Sequence, residues 1–78
     1  MGSAEVNFVE NEVHRGAILW YDPFKSYGFL TDLEFRNRDY FFHKSSLPDG
    51  VVVSKDDKVV FKPVLRDGKV SAIDVKPF

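Results

Sequence analysis

A chain of 78 residues, 44% hydrophobic and 29% charged, has the length for one small ordered domain around a single modest core. It contains no cysteine, which excludes disulfides, thiolate catalysis and metal ligation by sulfur. The formal net charge of -1 hides an asymmetry, because Glu5, Glu10 and Glu12 have no Lys or Arg beside them and the remainder sets eleven basic residues against nine acidic ones.

Residues 1–12 mix small, acidic and apolar residues without a period and read as a flexible acidic tail, ahead of a domain over residues 13–78. Within the tail, Val6, Phe8 and Val9 could dock on the body, or its carboxylates could cover one face of it. The run Ala17-Ile18-Leu19-Trp20-Tyr21 is too short for a helix and is bounded by Gly16 and Asp22-Pro23, which predicts a first strand from residue 13 or 14 to 22. Asp22-Pro23 then makes a turn, since proline fixes its own backbone angle and pushes the preceding residue out of helix. A second strand follows over residues 25–32, with Gly28 at a point of close approach or strong bend. Glu34, Arg36, Asn37 and Arg38 form a loop, and residues 39–43 form a third strand.

Lys44-Ser45-Ser46-Leu47 before Pro48-Asp49-Gly50 predicts one helical turn. Val51-Val52-Val53 gives only a weak signal for an extended piece. Residues 58–65 alternate as a strand, but Pro63 cannot donate a ladder hydrogen bond, so this strand is an edge there or ends there. Asp67-Gly68 is a hairpin signal leading to a last strand over residues 69–76. Five short strands, one helical turn and no amphipathic helix predict a small, strongly bent, all-β antiparallel barrel. Its core is expected to hold Ile18, Leu30, Phe42, Val59, Phe61, Ile73 and Val75.

Of twelve aromatic residues, nine lie between Trp20 and Phe42, more than a core of this size needs from so short a segment. Alternation in the second strand puts Lys25, Tyr27 and Phe29 on one face and Ser26, Gly28 and Leu30 on the other. The first set suits a surface better than a core. In the third strand Tyr40 and Phe42 oppose Phe41 and His43, and either pair could face inward. Trp20 shares its parity with Ile18, a core position. Paired as neighbours, the two strands would offer a stacking platform for unpaired bases. The weakly basic body leaves most of the affinity to stacking. Lys25, Arg36, Arg38 and Lys44 could meet phosphates, or be solvated charges. His14 has no evident partner and reads as a surface residue.

There is no Ser-His-Asp spacing, no glycine-rich phosphate loop and no His/carboxylate cluster with ligand spacing, so no enzyme activity, cofactor or metal is expected. Neither a bilayer-length apolar run nor a secretory leader is present, and the protein is expected to be soluble and cytoplasmic, without a membrane partner.

Gly16-Ala17-Ile18-Leu19-Trp20-Tyr21-Asp22, Lys25-Ser26-Tyr27-Gly28-Phe29-Leu30 and Asp39-Tyr40-Phe41-Phe42-His43-Lys44-Ser45 together resemble the cold-shock domain family, in order and in spacing. That family has an oligonucleotide/oligosaccharide-binding (OB) barrel. Its second and third strands hold two ribonucleoprotein motifs, typically Lys-Gly-Phe-Gly-Phe-Ile and Val-Phe-Val-His-Phe. The resemblance covers about residues 16–75. It implies binding of single-stranded RNA or DNA by base stacking, with uses such as RNA chaperoning, antitermination and control of translation. By matching positions it implies base contacts from Trp20, Tyr27, Phe29, Phe41 and His43, with Lys25 beside the backbone, and it chooses Phe41 and His43 as the outward pair.

The chain departs from the pattern with Ser26 for a Gly, Tyr27 for a Phe, Lys44 for an aromatic and Leu19 for a Lys. The loop near Val51 and Val52 lacks the aromatic of bacterial members. These departures imply retuned affinity and base preference. Adding Lys44 and Arg38 as phosphate contacts completes the expected site of a monomer. The alternative is a protein-interaction module on the same barrel, regulating a partner such as the transcription machinery.

Overall fold

The computed structural model describes residues 12–35, 38–66 and 68–78. The tail reading for residues 1–11, the phosphate reading of Arg36 and the Asp67 half of the hairpin signal lie outside them. Five strands follow in order, β1 (His14–Asp22), β2 (Tyr27–Asp32), β3 (Asp39–His43), β4 (Lys58–Arg66) and β5 (Lys69–Pro77). A 3-10 turn, Lys44–Ser46, follows β3.

The strands close a barrel in the order β1-β2-β3-β5-β4. It differs from the expected antiparallel barrel at one seam, where β3 and β5 run parallel and meet at Phe41 and Ser71. The reason is arithmetic: a closed ring with an odd number of strands cannot alternate direction all the way round, so one neighbouring pair must be parallel. β2 begins at Tyr27, two residues later than expected, because residues 23–26 form the turn. Lys25 therefore sits in that turn, and strand alternation does not set its direction.

Ile18, Leu30, Tyr40, Phe42, Val59, Phe61 and Val75 fill the barrel, with Leu47, Val53 and Ala72 closing it. Ile73, expected in the core, is only half-buried. Between Lys62↔Ile73 and Val60↔Lys76 the β5 side carries one extra residue, and Asp74 adopts a φ of 51°. This bulge lets Ala72 and Val75 both point inward and displaces Ile73 from the core. Pro63 fits the edge reading: β1 pairs with Lys58 to Phe61 of β4, and at Pro63 the pairing partner is Ala72 of β5. β4 and β5 stay paired up to Arg66↔Lys69, and Gly68 has a φ of 76°, as a tight hairpin requires.

His14 is not a surface residue. It is 5% exposed, with its Nδ1 2.8 Å from Asp32 Oδ2 and its ring packed on Phe35 and Phe61 at centroid distances of 5.2 and 5.8 Å. Position 14 is an inward position of β1, opposite Phe61 of β4, and β2 brings Asp32 beside it across Gly16. The other Asp32 oxygen accepts from the backbone N–H groups of Glu34 (2.8 Å) and Phe35 (3.1 Å). One carboxylate thus holds the imidazole and shapes the start of the β2–β3 loop. The Glu12 carboxylate stands 3.5 Å from the outer ring nitrogen of His14. Among the described residues no helix is long and apolar enough to cross a membrane.

Candidate nucleic-acid interface

Strict alternation in β2 and β3 sorts their side chains. Leu30, Tyr40 and Phe42 point into the barrel, while Phe29, Phe41 and His43 point out. Cross-strand pairing sets Tyr27 opposite His43 and Phe29 opposite Phe41, so two outward rows stand side by side. Trp20 joins them from β1. Its partner is Phe29, whereas Ile18 pairs with Leu30, so Leu19 is the extra residue of a β-bulge. The bulge reverses the parity of β1 and turns Trp20 outward, leaving Ile18 in the core.

The result is a continuous group of rings. Trp20 lies 5.4 Å from Tyr27 and 5.5 Å from Phe29, and Phe41 lies 5.6 Å from Tyr27 and 5.9 Å from Phe29, between centroids. These distances suit edge-to-face and tilted packing, which holds the rings in place while leaving part of each open. Trp20 is 42% and Phe41 37% exposed, and Tyr27 and Phe29 between them are half-buried. The surface can therefore lie against flat apolar groups without rearranging its core.

Gly28 makes this arrangement possible from beneath. A Cβ there would stand 2.3 Å from the Trp20 carbonyl oxygen and 3.0 Å from Phe42 Cζ, so only glycine lets β1 approach β2 this closely. Tyr21 uses the space to stack on Phe42, with centroids 5.8 Å apart and planes 15° apart.

His43 is exposed beside Tyr27 and serves as the N-cap of the 3-10 turn. Its Nδ1 accepts from the Ser45 backbone N–H at 3.0 Å, and Ser45 Oγ lies at the same distance. That bond assigns the proton of the neutral ring to Nε2, leaving a donor free. Beside it runs an open groove of about 560 Å³, lined by Tyr21, Pro23, His43, Lys44, Leu47 and Val52 among others.

The structure brings Trp20, Tyr27, Phe29, Phe41 and His43 together. Lys25 and Lys44 are exposed at the Tyr27/His43 end of the group, where the Lys44 N–H donates to the Ser26 carbonyl at 2.8 Å. Arg38 stands elsewhere. It precedes β3 at the Thr31/Asp39 end of the β2–β3 ladder, half-buried, with its guanidinium carbon 5.6 Å from the Phe35 ring centroid. Two further residues of this region lie outside the site expected from the sequence. Tyr21 lines the groove, and Phe24 projects from the turn at residues 23–26. A phenylalanine directly after Asp-Pro was the available signal for the second, since a turn tip has no core to enter.

Comparison with known proteins places these features in a family. Residues 14–78 match the family described as "'Cold-shock' DNA-binding domain". Among solved structures the chain is similar to the Drosophila Unr CSD456 structure, with a TM-score of 0.73 and 24% identity over 86% of this chain. The chain spans 27% of the length of that relative, and the likeness is one of fold. No curated protein sequence matches the chain at a significant level.

Proposed function

The chain belongs to the cold-shock domain family, a family of nucleic-acid-binding domains, and on that premise we propose that it binds single-stranded RNA or DNA by base stacking. In this reading Trp20, Tyr27, Phe29 and Phe41 receive the faces of unpaired bases, and His43 adds a stacking face and an Nε2–H donor. Lys25 and Lys44 meet phosphates where the strand passes the Tyr27/His43 end, and Arg38 meets it at the opposite end. The protein acts as a monomeric cytoplasmic binder, as an RNA chaperone or a regulator of transcription or translation.

The observation that carries this reading is the continuous ring group, with neighbouring centroids 5.4 to 5.9 Å apart on the outward face of three adjacent strands. Burying those rings would have stabilised the fold, so their exposure points to a partner with flat apolar faces. Bases fit, and each has such a face whatever its sequence.

Trp20 is the only tryptophan and sits in the group, so its emission reports binding directly. Titration with short pyrimidine and mixed-sequence single strands is expected to quench it at micromolar strand, with a shallow dependence on salt. Unchanged emission at both low and moderate salt would reject the proposal and leave the protein-interaction module as the reading of this surface.

A further inference from the structure

Phe24 is 96% exposed, more than any other large apolar side chain described. A single exposed ring on a slack loop would call for no explanation. This one is held in place. Asp22 Oδ1 accepts from the backbone N–H groups of Phe24 (2.9 Å) and Lys25 (3.2 Å), and the Asp22 carbonyl accepts from Ser26 N–H at 2.8 Å. The Ser26 carbonyl in turn accepts from Lys44 N–H at 2.8 Å, tying the turn to the start of the 3-10 turn. Pro23 stiffens the same segment by fixing its own φ. Phe24 is thus displayed on a braced support, with little ordering left to be done on binding.

Its position also matters. The turn is continuous with Tyr27, which pairs with His43 at one end of the ring group. Exposed Lys25 follows Phe24 directly, and exposed Lys44 is joined to the turn by backbone. A strand leaving the group past Tyr27 and His43 would meet two cations suited to its phosphates and, beside them, one further unshielded ring.

We propose that Phe24 is an additional base-stacking residue, set apart from the four-ring group, which takes a nucleotide of the strand beyond Tyr27 and His43. The proposal rests on the strand-binding reading above and extends the bound length beyond the platform. Stacking suits the site because no polar group needs to be matched there, so the base it takes is read weakly or not at all.

The test compares strands of about four and about eight thymidines, a range within what one OB barrel holds, titrated against the full chain and its Phe24→Ala and Phe24→Trp variants. In the unchanged protein, lengthening the strand is expected to strengthen binding. Phe24→Ala is expected to shrink that gain about five- to tenfold while its thermal unfolding stays as before, since the ring touches no core. Phe24→Trp is expected to restore the gain, with its added indole quenched more by the longer strand than by the shorter. An undiminished length gain in a folded Phe24→Ala protein would overturn this inference alone. If neither strand binds the unchanged protein, the strand-binding reading fails and this inference with it.

Discussion

Ile18 and Trp20 lie two residues apart in β1 yet face opposite sides of the sheet, Ile18 in the core opposite Leu30 and Trp20 outside opposite Phe29. The bulge at Leu19 separates the two duties of this strand, filling the barrel and furnishing the outer surface. The strand can do both because its backbone is held beyond the β1–β4 ladder: Ile18 N–H donates to the Asp57 carbonyl at 2.9 Å, and the Ile18 carbonyl accepts from Asp56 N–H at 2.8 Å.

Because Trp20 and Phe41 are partly exposed, each should be separable from folding. Trp20→Ala and Phe41→Ala are expected to cost about 1–3 kcal/mol of strand binding each, with small effects on stability. Lys25→Ala is expected mainly to flatten the salt dependence, in proportion to the phosphate contact removed. With Trp20 replaced, binding is followed by calorimetry or by the anisotropy of a labelled strand. A steep salt slope that survives intact aromatic-variant affinities would reverse this ranking and make phosphates the main source of affinity.

Ser26 offers a test of stability. Its φ of 67° lies in the left-handed region, which costs a residue with a Cβ roughly 1 kcal/mol and glycine almost nothing. The cold-shock pattern has glycine at the matching position, and this backbone angle supplies a physical reason. Ser26→Gly is expected to raise stability by about 0.5 kcal/mol, the relief of strain being partly offset by the freer unfolded chain. The link to Lys44 uses the backbone carbonyl and is unaffected. A lower unfolding temperature would show that the serine side chain contributes more than its backbone angle costs.

Where local chemistry decides the structure, the sequence is readable. The Asp22-Pro23 turn, the turn position of Gly68, the β2 alternation from Tyr27 and the helical turn after His43 all depend on near neighbours. Reading faces by parity fails where the strand contains an extra residue, as Leu19 and Asp74 show. Nothing in their side chains announces a bulge, so parity alone aligns Trp20 with the core and counts Ile73 within it. Strand β3 has aromatics on both parities, and only its pairing with β2 and packing inside the barrel fix Phe41 and His43 outward. For His14 the missing signal is distance along the chain, because its partner Asp32 is 18 residues away.

That pair leads to a third expectation. His14→Ala removes the group facing Asp32 Oδ2 in a site where both side chains are almost inaccessible. The loss is expected to be about 3 kcal/mol, dominated by leaving a buried polar oxygen unpaired. Asp32→Asn should be milder, at about 1 kcal/mol, because an amide oxygen can still accept from Glu34 and Phe35 and the amide nitrogen can donate to His14. Denaturant unfolding measures both. Variants indistinguishable from the parent protein would return His14 to the role of a solvated surface residue.

Tyr40 provides the pH-dependent case. It is fully buried, and among the described residues its hydroxyl meets no partner with good hydrogen-bond geometry, although Arg38 and Asp32 lie close by. Burial raises its pKa above the ordinary 10.0; the nearby Arg38 guanidinium opposes the shift, and the Asp32 carboxylate adds to it. The folded protein therefore keeps this phenol neutral at a pH where the unfolded chain has already lost the proton. Unfolding releases a proton in that range, so the contribution is complete below pH 10.0 and is lost as pH climbs through the higher folded value. Tyr40→Phe removes both the unpaired hydroxyl and the titration. It is expected to stabilise the neutral protein by about 1 kcal/mol and to flatten the alkaline decline. Tyr21 and Tyr27 are present in both proteins, so the difference between their stability curves isolates Tyr40. A destabilised Tyr40→Phe protein with an unchanged alkaline limb would mean that the hydroxyl has a partner and titrates without linkage to folding.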